Sequence, residues 1–383
     1  MQELREFKRV LIIGYEVGSL VRSLKSKFPK ISIGSVDLMG NLEVRKFANW
    51  SFSVIKQTAH EEISAPNQRS IEQYLVELTL IMIEEVQFDF LIACSPFYGK
   101  FNELASIINN INNYFPSLNT TNIFLSDFEF IKKIVEASLI QFNFRIQSIT
   151  ELRIIENKPI IFICPEKTFY IPSPATLQRN QRYYRGIAIP TPKIHSIAFI
   201  KNQNKTTCLG LQTLINPIGQ QFLLYPLEKN ALFPFDNTSN LTQDSIINSI
   251  EKIIDFLGIT GFFTIYFTIS ENNLIPFSIV PTFDENIRLW ELKLGQNIFQ
   301  SFNKDTVSQK IRNYGLKLPI YFPHSKLVPK IPLNLASHTN IPGSYSHPDY
   351  PVCKIFSVAS TINKLQKNSN KRKKMLYSRF NYE

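Results

Sequence analysis

Arg9-Val-Leu-Ile-Ile-Gly14, continued by Tyr15-Glu-Val-Gly18, is the stretch from which the fold is read. A short, unbroken apolar run that ends at glycine is the pattern of a buried parallel strand leaving through a tight turn. Val17, Leu20, Val21, Leu24 and Phe28 then recur at helical spacing, and Ile31 to Asp37 reads as the next strand. Ile71, Tyr74, Leu75, Leu78, Ile81 and Met82 mark another helix, with Ser70 as its expected cap. Phe88 to Ala93 adds a strand, and Leu104, Ile107, Ile108 and Ile111 add a helix. Strand and helix alternating in this way imply a right-handed parallel sheet, a Rossmann-like domain.

Gly14 and Gly18 flank a turn between strand and helix, the context of a mononucleotide-binding loop. The third glycine of a dinucleotide fingerprint is missing, and an ordinary tight turn needs the same two glycines. Asp37 ends the second strand, where a carboxylate serves either a ribose or a loop cap.

After Asn119 the texture changes. Phe128, Ile131, Ile134 and Val135 suit a helix, and Lys158 to Cys164 and His195 to Lys201 are β-rich. Ile246, Ile247, Ile250, Ile253, Ile254 and Leu257 line one helix face, with Gly258 where a left-handed cap belongs. Phe262 to Ile269 and Leu274 to Val280 read as a hairpin around Ser270-Glu-Asn-Asn273. From about Lys304 the chain is richer in proline, with short strand-like runs.

The chain has 383 residues, enough for two or three domains, and its 44% hydrophobic content argues against disorder. The formal charge is +11, and part of the excess sits in Lys364 to Arg379, which lacks a convincing amphipathic period. That segment is expected to be a solvated basic tail that buries little and is dispensable for folding. No nucleic-acid-binding motif accompanies it, so nucleic acid ranks below a small molecule or a protein as the expected partner. Cys94, Cys164, Cys208 and Cys353 show no Cys-x-x-Cys spacing, and Cys94 and Cys208 sit in or beside apolar stretches, as reduced core cysteines do. The five histidines form no ligand pair at helical or hairpin spacing. No signal peptide opens the chain, and no stretch reaches the roughly 18 apolar residues of a membrane span. The expected location is the cytoplasm, away from membranes.

Read in order, several segments resemble archaeal ATP-grasp proteins, the predicted ATP-dependent carboligases related to biotin carboxylase. Gly34-Ser-Val-Asp37 with Gly40-Asn-Leu42 is similar to that family's "VDxxGDxD" region. Leu91-Ile-Ala-Cys-Ser95 with Asn102-Glu-Leu104 resembles its strand, small-residue turn and "PEL" helix start. Gln181-Arg-Tyr-Tyr-Arg-Gly186 resembles "QEYIEG" between the two lobes. Gly258-Ile-Thr-Gly261 with the following hairpin resembles the "GLxGxxxxD…EVNPR" core, and Leu294-Gly-Gln-Asn-Ile-Phe299 its "GxNLF". Asn340-Ile-Pro342, Gly343 and Pro351-Val-Cys353 resemble "DIPxxG…PICTV". The resemblance implies a Rossmann-like pre-ATP-grasp domain over 1–122, two α+β ATP-grasp-like lobes over 123–303, a β-rich extension over 304–362 and the basic tail over 363–383.

The same resemblance shows what has been replaced. Its nucleotide contacts fall on Cys164, where a lysine is expected, on Arg182, where a hinge acid is expected, and on Tyr184. No glycine lies between Gly99 and Gly186, where a phosphate loop is expected, and Lys167 sits three residues late. The metal-binding acids and amide fall on Tyr266, Ser278 and Val280. None of these three carries the charge that magnesium requires. The expectation is therefore an ATP-grasp-like protein without a working phosphoryl-transfer site, binding a ligand or partner and using no cofactor. ATP and magnesium enter only if the family activity survives, as a carboxylate–amine ligase working through an acyl phosphate.

Overall fold

The computed structural model describes residues 6–38, 40–54, 68–94, 107, 111, 114–115, 131, 133–134, 145–148, 160–163, 168–171, 185–190, 193–202, 205–216, 221–225, 241–258, 260–270, 273–283, 286–301, 313–322, 324, 326–333, 335–346 and 350–380. β1 (Arg9–Ile13), β2 (Ser32–Asp37), β3 (Trp50–Ser53), β4 (Phe90–Ala93) and β5 (Tyr114–Phe115) form a parallel sheet in the order β3-β2-β1-β4-β5. The apolar run of β1 is explained by burial on both faces. Val10 and Ile12 join one core with Leu20, Val21 and Leu24 of α1 (Gly18–Lys27). Leu11 and Ile13 join another with Leu75 and Met82 of α3 (Gln68–Glu85). Between these helices lies α2 (Leu42–Phe47), capped by Asn41, whose Oδ1 accepts from the Val44 amide at 3.1 Å. Helix α3 begins at Gln68, so Ser70 lies inside its first turn and is not the cap. A serine near a helix start gives nearly the same sequence signal whether it caps or falls just inside.

A small antiparallel sheet follows, β6 (Arg145–Ser148), β7 (Ile160–Ile163), β8 (Thr168–Ile171) and β9 (Arg185–Pro190), in the order β6-β9-β7-β8. The large sheet runs β14-β13-β10-β11-β12-β15-β16. Its strands are β10 (Ile194–Asn202), β11 (Lys205–Asn216), β12 (Gln221–Tyr225), β13 (Gly261–Ser270), β14 (Asn273–Val280), β15 (Tyr314–Ile320) and β16 (Cys353–Ala359). The strand-like runs of the last segment thus extend the large sheet. α4 (Gln243–Leu257) covers one face, setting Ile246, Ile250, Ile253 and Ile254 against Phe263, Ile265, Phe267 and Ile279. Thr242 caps this helix, and Gly258 ends it at φ 64°, the left-handed conformation that its position suggested. On the other face lie α5 (Ile287–Leu294) and α6 (Ile298–Ser301), where Trp290 and Phe299 share a core with Phe262, Ala198 and the α1 leucines.

Lys364 to Arg379 corrects the expectation of a loose tail. It lies within a 19-residue helix, α7 (Ile362–Phe380), that buries Leu365, Ser369 and Leu376. Leu365 and Leu376 are eleven positions apart, about three turns. So thin an apolar stripe among lysines and asparagines escapes a periodicity reading. Among the described residues no helix is long and apolar enough to cross a membrane.

Candidate functional site

The carboxyl ends of β1, β2 and β4 meet the end of β14 and the start of β16. In a parallel sheet of this order the crevice at the strand ends, where the order reverses beside β1, is the usual place for a ligand. Thr282, just past β14, donates its hydroxyl to the Ala93 carbonyl at 2.8 Å and so ties the two sheets together at this point.

Gly18 and the acids near the first turn, Asp37 and Glu16, each have a structural partner. A Cβ on Gly18 would lie 2.5 Å from Asn41 Oδ1, so Gly18 is the notch into which the α2 cap fits. Asp37 acts as a loop cap, its Oδ1 accepting from the Gly40 amide at 2.8 Å. Its other oxygen is buried with no hydrogen-bond partner among the described residues. Burial, and secondarily the charge of Glu16, push the Asp37 acid up to about 7, against the opposing Gly40 hydrogen bond. Glu16 is paired with Lys354, a fully buried lysine of β16.

The large sheet supplies the second part of the site. Tyr266 on β13 pairs directly with Ser278 on β14 and with Ser196 on β10, and Ser196 pairs with Gln212 on β11. Cross-strand partners share a face. Gln212, Ser196, Tyr266 and Ser278 therefore form one row, joined at one end by a Gln212 Nε2 to Ser196 Oγ hydrogen bond of 2.7 Å. The next row is small and uncharged, Gly210, Ala198, Thr264 and Val280. A register shift between Tyr266 and Phe267 leaves Phe277 as the extra residue and sets Ser278 opposite Tyr266, while Pro276 stays opposite Phe267. Pro276 thus shares a register position with a residue of the core under α4, outside the row of Ser278. The extra residue of a bulge reverses the alternation that sequence spacing assumes.

Above Gly210 sits Lys293 of α5. A Cβ at Gly210 would meet its Nζ at 2.6 Å, and that ammonium donates to the Tyr225 carbonyl. Burial pulls Lys293 down to about 7 and pushes the Cys208 thiol up to about 12. Among the described residues no group of three or more His, Cys, Asp or Glu is placed to hold a metal ion. The row through Tyr266 and Ser278 offers a phenol, hydroxyls and an amide, which do not fit the carboxylate-rich shell of magnesium.

Of the positions named from sequence, Tyr266 and Ser278 are brought together, and Val280 pairs with Thr264 one row away. Cys164, Arg182 and Tyr184 lie outside the described residues. Glu16, Lys293, Lys354 and His338 were not singled out as site residues. The signal for two of them was available: a lysine inside an apolar run, as in Cys353-Lys-Ile-Phe356 and Leu292-Lys-Leu294, is rarely buried without a partner. His195, also buried, pairs through Nδ1 with Thr213 Oγ1 at 2.8 Å, and burial holds it down to about 3. That is a core histidine.

The chain superimposes on solved structures over nearly its whole length. Biotin carboxylase from Campylobacter jejuni matches at TM-score 0.67 and 14% identity, covering 98% of this chain and 92% of that one. L-amino acid ligase from Bacillus licheniformis matches at 0.63 and 11%, covering 96% and 97%. The biotin carboxylase domain of 2-oxoglutarate carboxylase from Hydrogenobacter thermophilus matches at 0.65 and 13%, covering 97% and 89%. This is the ATP-grasp fold. No protein-family model matches the sequence, and no curated protein matches it either. The neutral row lies on the large sheet, and four residues past Ser278 the chain reaches Thr282 and its contact with the parallel sheet.

Proposed function

We propose that the chain keeps the ATP-grasp fold as a binding scaffold, takes up a ligand or protein partner between its parallel sheet and its large sheet, and does not transfer phosphate. The observation that carries this reading is the neutral row of Gln212, Ser196, Tyr266 and Ser278. A transferring phosphoryl group develops charge that metal and lysine normally stabilise, an effect of several kcal/mol in the transition state. The replacements at Cys164, Arg182 and Tyr184 that the family resemblance identifies point the same way. The proposed compartment is the cytoplasm, in keeping with Cys94, Cys208 and Cys353 being thiols outside any disulfide.

The Hydrogenobacter neighbour was solved with MgADP and bicarbonate, so Mg-ATP is the ligand to test. A ligand at a hundred times its Kd raises stability by about 2.7 kcal/mol, easily read as a melting shift. Millimolar Mg-ATP is expected to leave the melting temperature of this protein unchanged. A clear shift that requires magnesium would overturn the reading and restore the alternative, an ATP-dependent carboxylate–amine ligase.

A further inference from the structure

Helix α7 carries seven basic residues and no acid between Ile362 and Phe380. They are not spread evenly round it. Lys364, Lys367, Lys371 and Lys374 follow one another at intervals of three, four and three residues, and all four are exposed. At 100° per residue they share one narrow face, roughly opposite the side that buries Leu365, Ser369 and Leu376. The stripe is about 15 Å long, with charges about 4.5–6 Å apart along the axis. None of the four pairs with an acid among the described residues. Asn363, Gln366, Asn368 and Asn370 flank them, also exposed.

The docked side of the helix keeps this array rigid. Arg372 turns inward and donates to the Phe356 carbonyl at 2.5 Å, while Phe380 stacks edge-on against Phe322 at 4.7 Å. A straight, fixed line of lysines with amide neighbours matches a linear polyanion. Lysines bind phosphates as point charges, and asparagine and glutamine donate hydrogen bonds to phosphate oxygens. A membrane surface fits less well. An interfacial helix buries its apolar face in the lipid, whereas here that face is spent on β15 and β16. We infer that the outer face of α7 binds the phosphodiester backbone of nucleic acid, without reading its sequence.

The test is a fluorescence-anisotropy titration of the full chain with a labelled 20-base-pair DNA duplex at several salt concentrations. Four phosphate contacts predict a slope of about −3.6 for log K against log salt. Replacing Lys364, Lys367, Lys371 and Lys374 together by Gln, a good helix former, should abolish most of the binding and flatten the slope while leaving thermal unfolding unchanged. The matched control replaces four exposed lysines elsewhere, Lys8, Lys30, Lys46 and Lys330, by Gln and lowers the net charge equally. It should bind almost as the parent does. No binding by the parent, or an equal loss in the two variants, overturns the inference. Cosedimentation with vesicles rich in phosphatidylserine, without duplex binding, would overturn it in favour of a membrane surface.

Discussion

His338 Nε2 lies 2.7 Å from Ser19 Oγ, joining the first helix to a residue 319 positions later in the chain. The contact is buried, and it sits at the centre of a clamp. The His338 amide donates to Glu43 Oε2 at 2.5 Å, Glu43 accepts from Arg22 at 3.2 Å, and the Leu42 amide donates to the Thr339 carbonyl at 2.8 Å. Burial raises the Glu43 acid, with Arg22 as the main opposing charge. Through this clamp the C-terminal segment holds α1 and α2 of the parallel domain against the large sheet.

Ser19→Ala and His338→Ala are each expected to lower stability by about 1–3 kcal/mol, because each leaves a buried polar group unpaired. In a double-mutant cycle read by urea unfolding the two should couple by more than about 0.5 kcal/mol. Purely additive effects would show that the hydrogen bond contributes nothing. His338 also holds φ at 49°, a conformation that asparagine tolerates and β-branched residues resist. His338→Asn should therefore be milder than His338→Val.

Asp37 gives a pH dependence with a definite sign. Its folded pKa of about 7 lies above the ordinary 3.8, so its share of stability is full below about pH 4 and is lost as pH rises through 7. Asn at this position keeps the acceptor for Gly40 and does not titrate. Asp37→Asn should match the parent near pH 4 and exceed it by up to about 4 kcal/mol at pH 8. A stability difference that fails to grow between those pH values would mean that Asp37 is not held neutral by burial.

Gly18 tests whether the first turn is a nucleotide loop or a packing notch. Alanine at a helix start gains up to about 1 kcal/mol of propensity. Here its Cβ would strike the Asn41 side chain at 2.5 Å and dislodge the α2 cap, a loss of about 0.5–2 kcal/mol plus the burial of unpaired polar atoms. The clash wins, and Gly18→Ala should destabilise by about 1–2 kcal/mol. Adding Asn41→Ser, a shorter cap, should recover part of that loss. A neutral Gly18→Ala would return the glycine to the nucleotide-binding explanation.

These cases show what the sequence could carry. The four-residue apolar run of β1, the isoleucine face of α4 and the Gly258 cap are local patterns set by burial, and each appears where its spacing places it. That Tyr266 and Ser278 share a face does not follow from the turn, since counting back from Ser270–Asn273 sets Phe277 opposite Tyr266. The bulge that puts Ser278 there was not legible, since one extra residue leaves no compositional mark. Nor was the clamp: Ser19 and His338, or Glu16 and Lys354, meet only after the whole chain has folded. The Asp37 acid is ordinary by sequence, and its raised pKa comes entirely from what surrounds it.

Helix α7 reverses the expectation that the basic segment is dispensable. Leu376 is fully buried among Ile320, Phe322, Val352 and Ile355, and Leu365 is fully buried against Leu223 and Tyr225. Leu376→Ala should cost about 2–5 kcal/mol, the range for emptying a core leucine site. Truncation after Ile362 removes both leucines, uncovers one side of β15 and β16, and deletes the Arg372 hydrogen bond to Phe356. It should lower stability by more than Leu376→Ala alone, or leave the chain insoluble through the exposed edge. The fourfold Lys→Gln variant of the outer face separates charge from packing, because those side chains touch solvent only on the far side of the helix. Equilibrium urea unfolding of the three variants gives the decision. If the truncated chain unfolds at the same midpoint as the parent, Leu365 and Leu376 do not pack as described and the helix is an appendage after all.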